Sequence, residues 1–431
     1  MKKNIKSFCL LLVAGMALVA CSSDDTDEQN AQQQNNHTWQ AYATVGKGMD
    51  MDTRMLRIDE SGTTPNLKVG WDIYDFVYVF RGATKVGFLT PSSSTTNYNV
   101  TMSGSIDGNA YQAGETLSFR FPRETVDYTG QDGTLLSIAR NYDYAEGGAT
   151  VSSVTGTNVQ IGTVTLQSKQ AIVKFTFNKA IQVVSIYSDA MSEPILVEPS
   201  SATTEIYAAL PLTGSVISTD YVLSGVDADN KQFMTRKTGV TMQNGKYYEA
   251  SIKLLYPTYV DLGLSVNWYV YNMGASDITA KGNGYAWGER VTKDTYTLDN
   301  YKWYNSTSGK YTKYVLDSSY GTVDNKNTLD PDDDVAYDGS TRHMPNKAQC
   351  QELLANTVRK GFQLNGSSAV YSMYISTKSG YKGSAIIFID NWAVWASTLS
   401  STKNAYILRG SSTLTSFDRY TDWCVRPVLD K

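Results

Sequence analysis

Histidine and cysteine are scarce in this chain, and runs of positive charge and of spanning-length apolar sequence are missing. Its 431 residues hold two histidines, His37 and His343, and four cysteines. No serine sits in a G-x-S-x-G elbow, no H-E-x-x-H occurs, and no glycine loop ends in Gly-Lys-Ser/Thr. The common hydrolase, metalloprotease and nucleotide-binding signatures are therefore absent. Paired carboxylates would serve a glycosidase, but nothing selects a pair. The chain reads as a protein that is not an enzyme and that needs no cofactor. Its net charge is −4 without any basic run, which argues against nucleic acid as a partner.

The one long apolar stretch comes first. Lys2, Lys3 and Lys6 precede Phe8 to Ala20, a basic region followed by an apolar one. That stretch is shorter than the ~20 residues a spanning helix needs. It ends in Leu18-Val19-Ala20-Cys21, which resembles the lipobox of bacterial lipoproteins. The resemblance implies cleavage between Ala20 and Cys21 and acylation of the Cys21 thiol. Each buried CH₂ of such a chain contributes about 0.8 kcal/mol to membrane anchoring. An ordinary signal peptide with a chance cysteine is the alternative. The following SSDDTDEQNAQQQNN holds four acids, no base and almost nothing apolar, so residues 21–38 are expected to be a disordered tether. Acids directly after the cysteine resemble the surface-export tag of lipoproteins in Gram-negative anaerobes of the gut and mouth. The expected location is the outer membrane, lipid-anchored and facing the cell exterior; a spacer facing the periplasm is the alternative. Everything after Cys21 is expected to be soluble.

From Trp39 to about Tyr256 short strands alternate with turns. In QAIVKFTF, Ala171, Val173, Phe175 and Phe177 face one way and Gln170, Ile172, Lys174 and Thr176 the other. In NGKYYEASIKL, Asn244-Gly245 reads as a tight hairpin turn before a second alternating run. Period two with aromatic and β-branched residues predicts half-buried antiparallel strands. No helical periodicity shows over this region. The fold class is mainly β, with a first sandwich over 39–165 and a second over 166–256. Gly70-Trp71-Asp72, DFVYVF, FPRETVDYTGQDGTL, QAIVKFTF, TTEIYAALP and NGKYYEASIKL, in that order, resemble the fimbrillin-like lipoproteins. That resemblance implies two transthyretin-like β-sandwiches and a pilin or adhesin role.

The remainder, 257–431, runs through YVDLGLSVNWYVYNMGAS, GYAWGE, HMPNKAQCQELL and DWCVRPVL. It resembles the major-paralogous-domain family, which implies an α+β, C-type-lectin-like domain related in fold to formylglycine-generating enzymes. His343 stands where that family usually has arginine, and the stretch between Ile387 and Trp395 is shorter than usual. One helix is predicted here. Asn346 and Gln349 have capping-box spacing, and Cys350, Leu353, Leu354 and Thr357 form an inward stripe. The family usually shows a large aromatic at the position of Cys350, and Cys424 is equally unusual in the final strand. These two departures suggest a Cys350–Cys424 disulfide; two buried free thiols are the alternative.

Asp330, Asp332, Asp333 and Asp334 form the densest acidic cluster. Asp330, Asp332 and Asp334 make a weak calcium candidate, but Val335 and Thr341 replace the glycine and bidentate glutamate of an EF-hand loop; a solvated acidic loop is the plainer reading. Trp268, Tyr269, Tyr271, Tyr301, Trp303, Tyr304, Trp392 and Trp395 are aromatic candidates for sugar stacking, most of them expected in the core. The loops YNSTSGKYTKY and SSYGTVDNKNTLDPDDD point to Tyr301, Trp303, Tyr304 and Tyr311 as ligand contacts. Arg54 and Arg57 follow the first strand-like stretch, WQAYATV. Fimbrillin relatives can polymerise when an arginine-specific protease removes a first strand, a form of β-augmentation, so these arginines are candidate processing sites; ordinary surface arginines are the alternative. The functional expectation is a surface adhesin or fimbria-associated subunit, with fimbrial subunits and a glycan or host protein as partners. A monomeric glycan-capture lipoprotein for nutrient uptake is the alternative.

Overall fold

The computed structural model describes residues 37–47, 57–59, 66–68, 70–214 and 217–431. Ala20, Cys21, Arg54 and the predicted tether as far as residue 36 lie outside these residues. The fold is mainly β, as the alternation predicts, and its strands fall into several sheets.

The first eight-stranded sheet closes on itself. His37–Lys47 pairs antiparallel with Val100–Gly108 on one side and parallel with Asn158–Ile161 and Val164–Ser168 on the other. Val164–Ser168 also pairs with Ala145–Thr155. The closed wall surrounds an apolar core that includes Val45, Val79, Leu89, Met102, Phe119 and Val159. Two predicted boundaries shift as a result. His37 and Thr38 belong to the first strand instead of the tether, because their backbones pair with Gly108 and Asp107. The first unit extends through Ser168 because Val164–Ser168 is one of its strands.

The second region is organised by one long strand, Ala171–Ser188. Residues 171–176 pair with Thr203–Leu210 and residues 172–177 with Tyr247–Ile252. Beyond a register shift between Thr176 and Ile181, the strand pairs with Ile195–Val197 and Ile217–Asp227. The register shift is where this one strand exchanges the first pair of partners for the second. Ala171, Val173, Phe175 and Phe177 are buried as the alternation predicts. Gln170 and Ile172 are buried as well. A helical turn over Leu135–Tyr142, not visible as periodicity, covers that side with Ile138 and Tyr142. Asn244-Gly245 does make a turn, with Gly245 at φ +80°, but it closes no hairpin. Gln232–Met242 pairs with Ile217–Asp227, whereas Tyr247–Ile252 crosses over to run parallel to Ala171–Ser188. The Asn244 side chain stabilises the crossover by bonding both the N–H and the carbonyl of Leu212.

The C-terminal region is not set apart from this second region. Its three-stranded sheet, Thr357–Gln363, Val370–Ser376 and Ala385–Ile389, is covered on both faces. Tyr371, Met373, Ile375, Ala385 and Ile387 enter one core with Val183, Leu223 and Phe233 of the second region. Tyr374, Ile386 and Phe388 point the opposite way, into a core with Trp268, Leu353 and Val428. A strand buried on both faces reads as an unbroken apolar run, which accounts for the sequence AIIFI. The two regions approach closely at Gly383, which sits at φ +87°. A Cβ there would lie 2.7 Å from the Cβ of Val222, so only glycine fits.

The predicted helix forms over Lys347–Ala355, with Asn346 and Gln349 exchanging both bonds of the capping box. Cys350 and Leu353 are buried and Leu354 is partly buried, while Thr357 has already passed into the next strand.

Candidate functional site

The loops proposed from sequence as a ligand surface are instead packed on themselves. Tyr301 is 2% and Tyr311 6% exposed. The Tyr301 hydroxyl donates to the carbonyl of Trp287 at 2.7 Å, and burial drives its pKa upward. The fully buried guanidinium of Arg419 lies 4.2 Å from the Tyr311 ring centre and donates to the carbonyls of Tyr314 and Lys313. These two tyrosines therefore wall an internal arginine and cannot meet a ligand at the surface. Trp303 is half-buried, and its indole N–H donates to the Gly288 carbonyl. The ammonium groups of Lys302 and Lys313 sit 4.2 and 5.0 Å from its ring centre. Tyr304 packs edge-on against Tyr311.

The acidic cluster is spoken for in the same way. Asp333, 4% exposed, accepts from Lys302 at 2.9 Å, Lys313 at 2.6 Å and the Tyr314 hydroxyl at 2.7 Å. Burial alone would raise its carboxyl pKa; the two lysines and the tyrosine outweigh burial and hold it below the ordinary value. Tyr314 sits in the left-handed region at φ +61°, and the Asp324 carboxylate accepts from the N–H groups of Tyr314 and Val315. Asp330 pairs with Lys313 and Lys326. Asp334 is buried and accepts from the backbone N–H groups of Ala336 and Met344. Asp332 is exposed. Lysines take the oxygens of Asp330 and backbone amides those of Asp334, while Asp332 stands apart in solvent, so the three carboxylates are not arranged as a calcium site. Among the described residues no three His, Cys, Asp or Glu side chains gather to hold a metal.

Cys350 and Cys424 share the apolar cluster around Trp268 and remain free thiols. A common cluster is not sufficient for a disulfide, which also needs facing Cβ atoms and Cα atoms within about 7 Å. Burial pushes the Cys350 thiol up to about 12 and the Cys424 thiol up to about 11. Neither is a nucleophile at neutral pH. The backbone of Arg57 pairs antiparallel with Lys68. Of the other aromatic candidates, Trp268 and Trp395 are fully buried.

Tyr269 and Tyr271 have a different setting. They line an open cleft of about 430 Å³ where the second region passes into the C-terminal one. Tyr256, Lys231, Arg342 and Asn272 share its lining. Tyr269 is half-exposed and tilted against Tyr259, ring centres 6.0 Å apart. The Tyr271 hydroxyl accepts from the N–H of Gln232 at 3.0 Å. The Tyr256 hydroxyl donates to Asp227 at 2.8 Å. Both hydroxyls are held by the protein, so the rings are fixed and offer apolar surface to whatever enters. On the floor, the Asn272 carbonyl accepts from Arg426 and its amide donates to the Lys281 carbonyl. Pre-formed concavity with a few polar groups is the usual character of a binding site. Tyr269 and Tyr271 stand out in the sequence as aromatic candidates, whereas nothing in the local pattern of Tyr256, Lys231 and Arg342 announces that they converge on the same cleft.

A second cleft of about 410 Å³ lies among Tyr128, Ile195, Leu196 and Lys360. Its acids Asp127, Glu193 and Glu198 outnumber Lys360, which already pairs with Glu193.

The chain matches no family model and no curated protein. Among solved structures it is similar to a candidate cell adhesion protein from Bacteroides ovatus, with 14% identity and a TM-score of 0.29 over 51% of this chain and 92% of that one. It is also similar to a candidate cell adhesion protein from Bacteroides uniformis, with 12% identity and a TM-score of 0.28 over 50% and 92%. A C-terminally truncated tip fimbrial protein from Porphyromonas gingivalis aligns with 10% identity and a TM-score of 0.24 over 51% and 96%.

Proposed function

We propose that this chain is a surface adhesin or fimbria-associated subunit, anchored to the outer membrane through Cys21, that binds a glycan or host ligand through its C-terminal region. The observation that carries the binding role is the tyrosine-lined cleft at Tyr256, Tyr269 and Tyr271. Rigid aromatic faces bring large contact area at low entropic cost. The cleft takes the place of the Trp303 loops as the ligand surface. Most of its lining lies in 257–431, which is proposed as a C-type-lectin-like unit on the motifs quoted above.

A screen of glycans and host proteins with the soluble chain 37–431 tests the binding role. Binding that is lost in Tyr269→Ala at unchanged melting temperature supports it; binding to nothing in the screen overturns it. Anchoring is tested by Cys21→Ala, which should lose fatty-acid label and membrane partitioning. Protease added to intact cells should remove the protein if it faces outward. Fimbrial assembly by strand exchange is favoured by the position of His37–Lys47, which has paired strands on both sides. Its removal after cleavage at Arg54 or Arg57 would open a groove for another subunit's strand. A mature N-terminus that is always Cys21, with no ladder of oligomers, excludes that route.

A further inference from the structure

We infer that the tyrosine cleft selects an acidic saccharide, a sugar carrying a carboxylate or sulfate, over a neutral one. The inference rests on the binding role proposed for this cleft and adds the charge of its ligand.

Two cations and no acid line the cleft. This is notable in a chain whose net charge is −4. Lys231 is exposed, and its ammonium makes no ion pair or hydrogen bond among the described residues. Arg342 donates through Nε to the Ala336 carbonyl at 2.9 Å and makes a long, partly exposed ion pair with Asp338 at 3.7 Å. Its terminal amino groups make no hydrogen bond among the described residues, so they are free to form a fork on a planar anion. Two acids on the segments flanking the lining are already engaged. Asp227 binds Lys179, the Tyr256 hydroxyl and the N–H groups of Asp229 and Lys231. Asp277 binds Thr279 and Ser276. The site therefore combines fixed aromatic faces, which suit the apolar face of a sugar ring, with the unpaired ammonium of Lys231 and the unbonded terminal amino groups of Arg342 beside them.

An acidic peptide fits the same charge but not the same backbone. Recognition of an extended peptide draws on open main-chain donors and acceptors. Here the N–H groups of Tyr269, Val270, Met273 and Ala275 already donate to carbonyls of the protein, and Pro257 and Pro427 have none to give. The cleft presents rings and cations without a free strand edge.

The test uses the chain 37–431 and an immobilised panel of sialylated, uronic and sulfated oligosaccharides, each beside its neutral counterpart. Acidic members are expected to bind at least about tenfold more tightly. Lys231→Ala and Lys231→Glu should erase most of that margin, and so should raising salt from 0.05 to 0.5 M, which shortens the reach of exposed charges. Lys231 is exposed, so melting temperature should hold, and the charge-conserving Lys231→Arg should retain the preference. Equal binding of acidic and neutral members, abolished by Tyr269→Ala, overturns the charge inference and leaves the cleft as a glycan site. Absence of any saccharide binding overturns both. Tighter binding of a poly-glutamate peptide than of every acidic sugar also overturns the inference.

Discussion

The side-chain amide of Gln232 is hydrogen-bonded to the backbone of Ala385, 2.7 Å from Nε2 to the carbonyl oxygen, although 153 residues separate them. Its carbonyl accepts in turn from the N–H of Ile387, so one buried glutamine satisfies the buried edge of a sheet from another part of the chain. Around it, apolar side chains of both regions form one continuous core. Ser224 adds a bond from its hydroxyl to the Gly383 carbonyl.

Gln232→Leu should therefore destabilise the chain by about 2–6 kcal/mol, since two buried backbone groups lose partners at roughly 1–3 kcal/mol each. Urea denaturation of residues 169–431 should show the second and C-terminal regions unfolding in a single transition. A chain ending at Tyr256 should be digested rapidly by protease, because the face that carries Val183, Leu223 and Phe233 would be bare. Separate transitions for the two regions would contradict the shared core.

Tyr301 and Tyr269 should respond in opposite ways to substitution. Tyr301→Phe removes only the bond to Trp287 and should cost about 1 kcal/mol, while Tyr301→Ala should cost ~3–5 kcal/mol by opening a cavity. Neither should weaken ligand binding beyond the loss of folded protein. Tyr269→Ala should leave melting temperature within a few degrees and abolish binding. Thermal melts paired with binding isotherms separate the two.

Asp333 should give the C-terminal region an acid-sensitive stability. Its folded-state pKa is depressed, so its contribution is complete above the unfolded carboxyl value near ~4 and is lost as pH falls through that value towards the folded one. Asp333→Asn should cost about 1.5–3 kcal/mol at pH 7, the usual worth of hydrogen bonds to a charged group, because the lysines left behind remain partly solvated. It should also flatten the fall in stability below ~pH 4. Urea midpoints between pH 3 and 7 for the two proteins check this.

Cys350 and Cys424 should resist thiol reagents in the native protein at pH 8, because burial keeps both protonated. Denaturation without reductant should release two titratable thiols per chain of residues 37–431. Fast native labelling, or none after denaturation, would contradict buried free thiols.

Local pattern was enough for several of these elements. Alternation in QAIVKFTF marks a buried face, and the reciprocal spacing of Asn346 and Gln349 starts the helix with Cys350 inward. Such features depend on neighbours two to four residues away, so they are legible in the chain itself. Pairing partners are another matter. Asn244-Gly245 dictates a turn, but whether the next strand returns to the last one or crosses to Ala171–Ser188 depends on which distant edge is open. The same holds for exposure. Tyr301 and Tyr269 sit in equally aromatic, polar surroundings in the sequence; only packing against Arg419 buries the first, and only the junction with the second region leaves the second facing a cleft. Lys231 and Arg342 line the same cleft although 111 residues separate them, because the junction of the two regions brings their segments together. Burial and convergence are properties of contacts between remote segments, and the tertiary structure alone decides them.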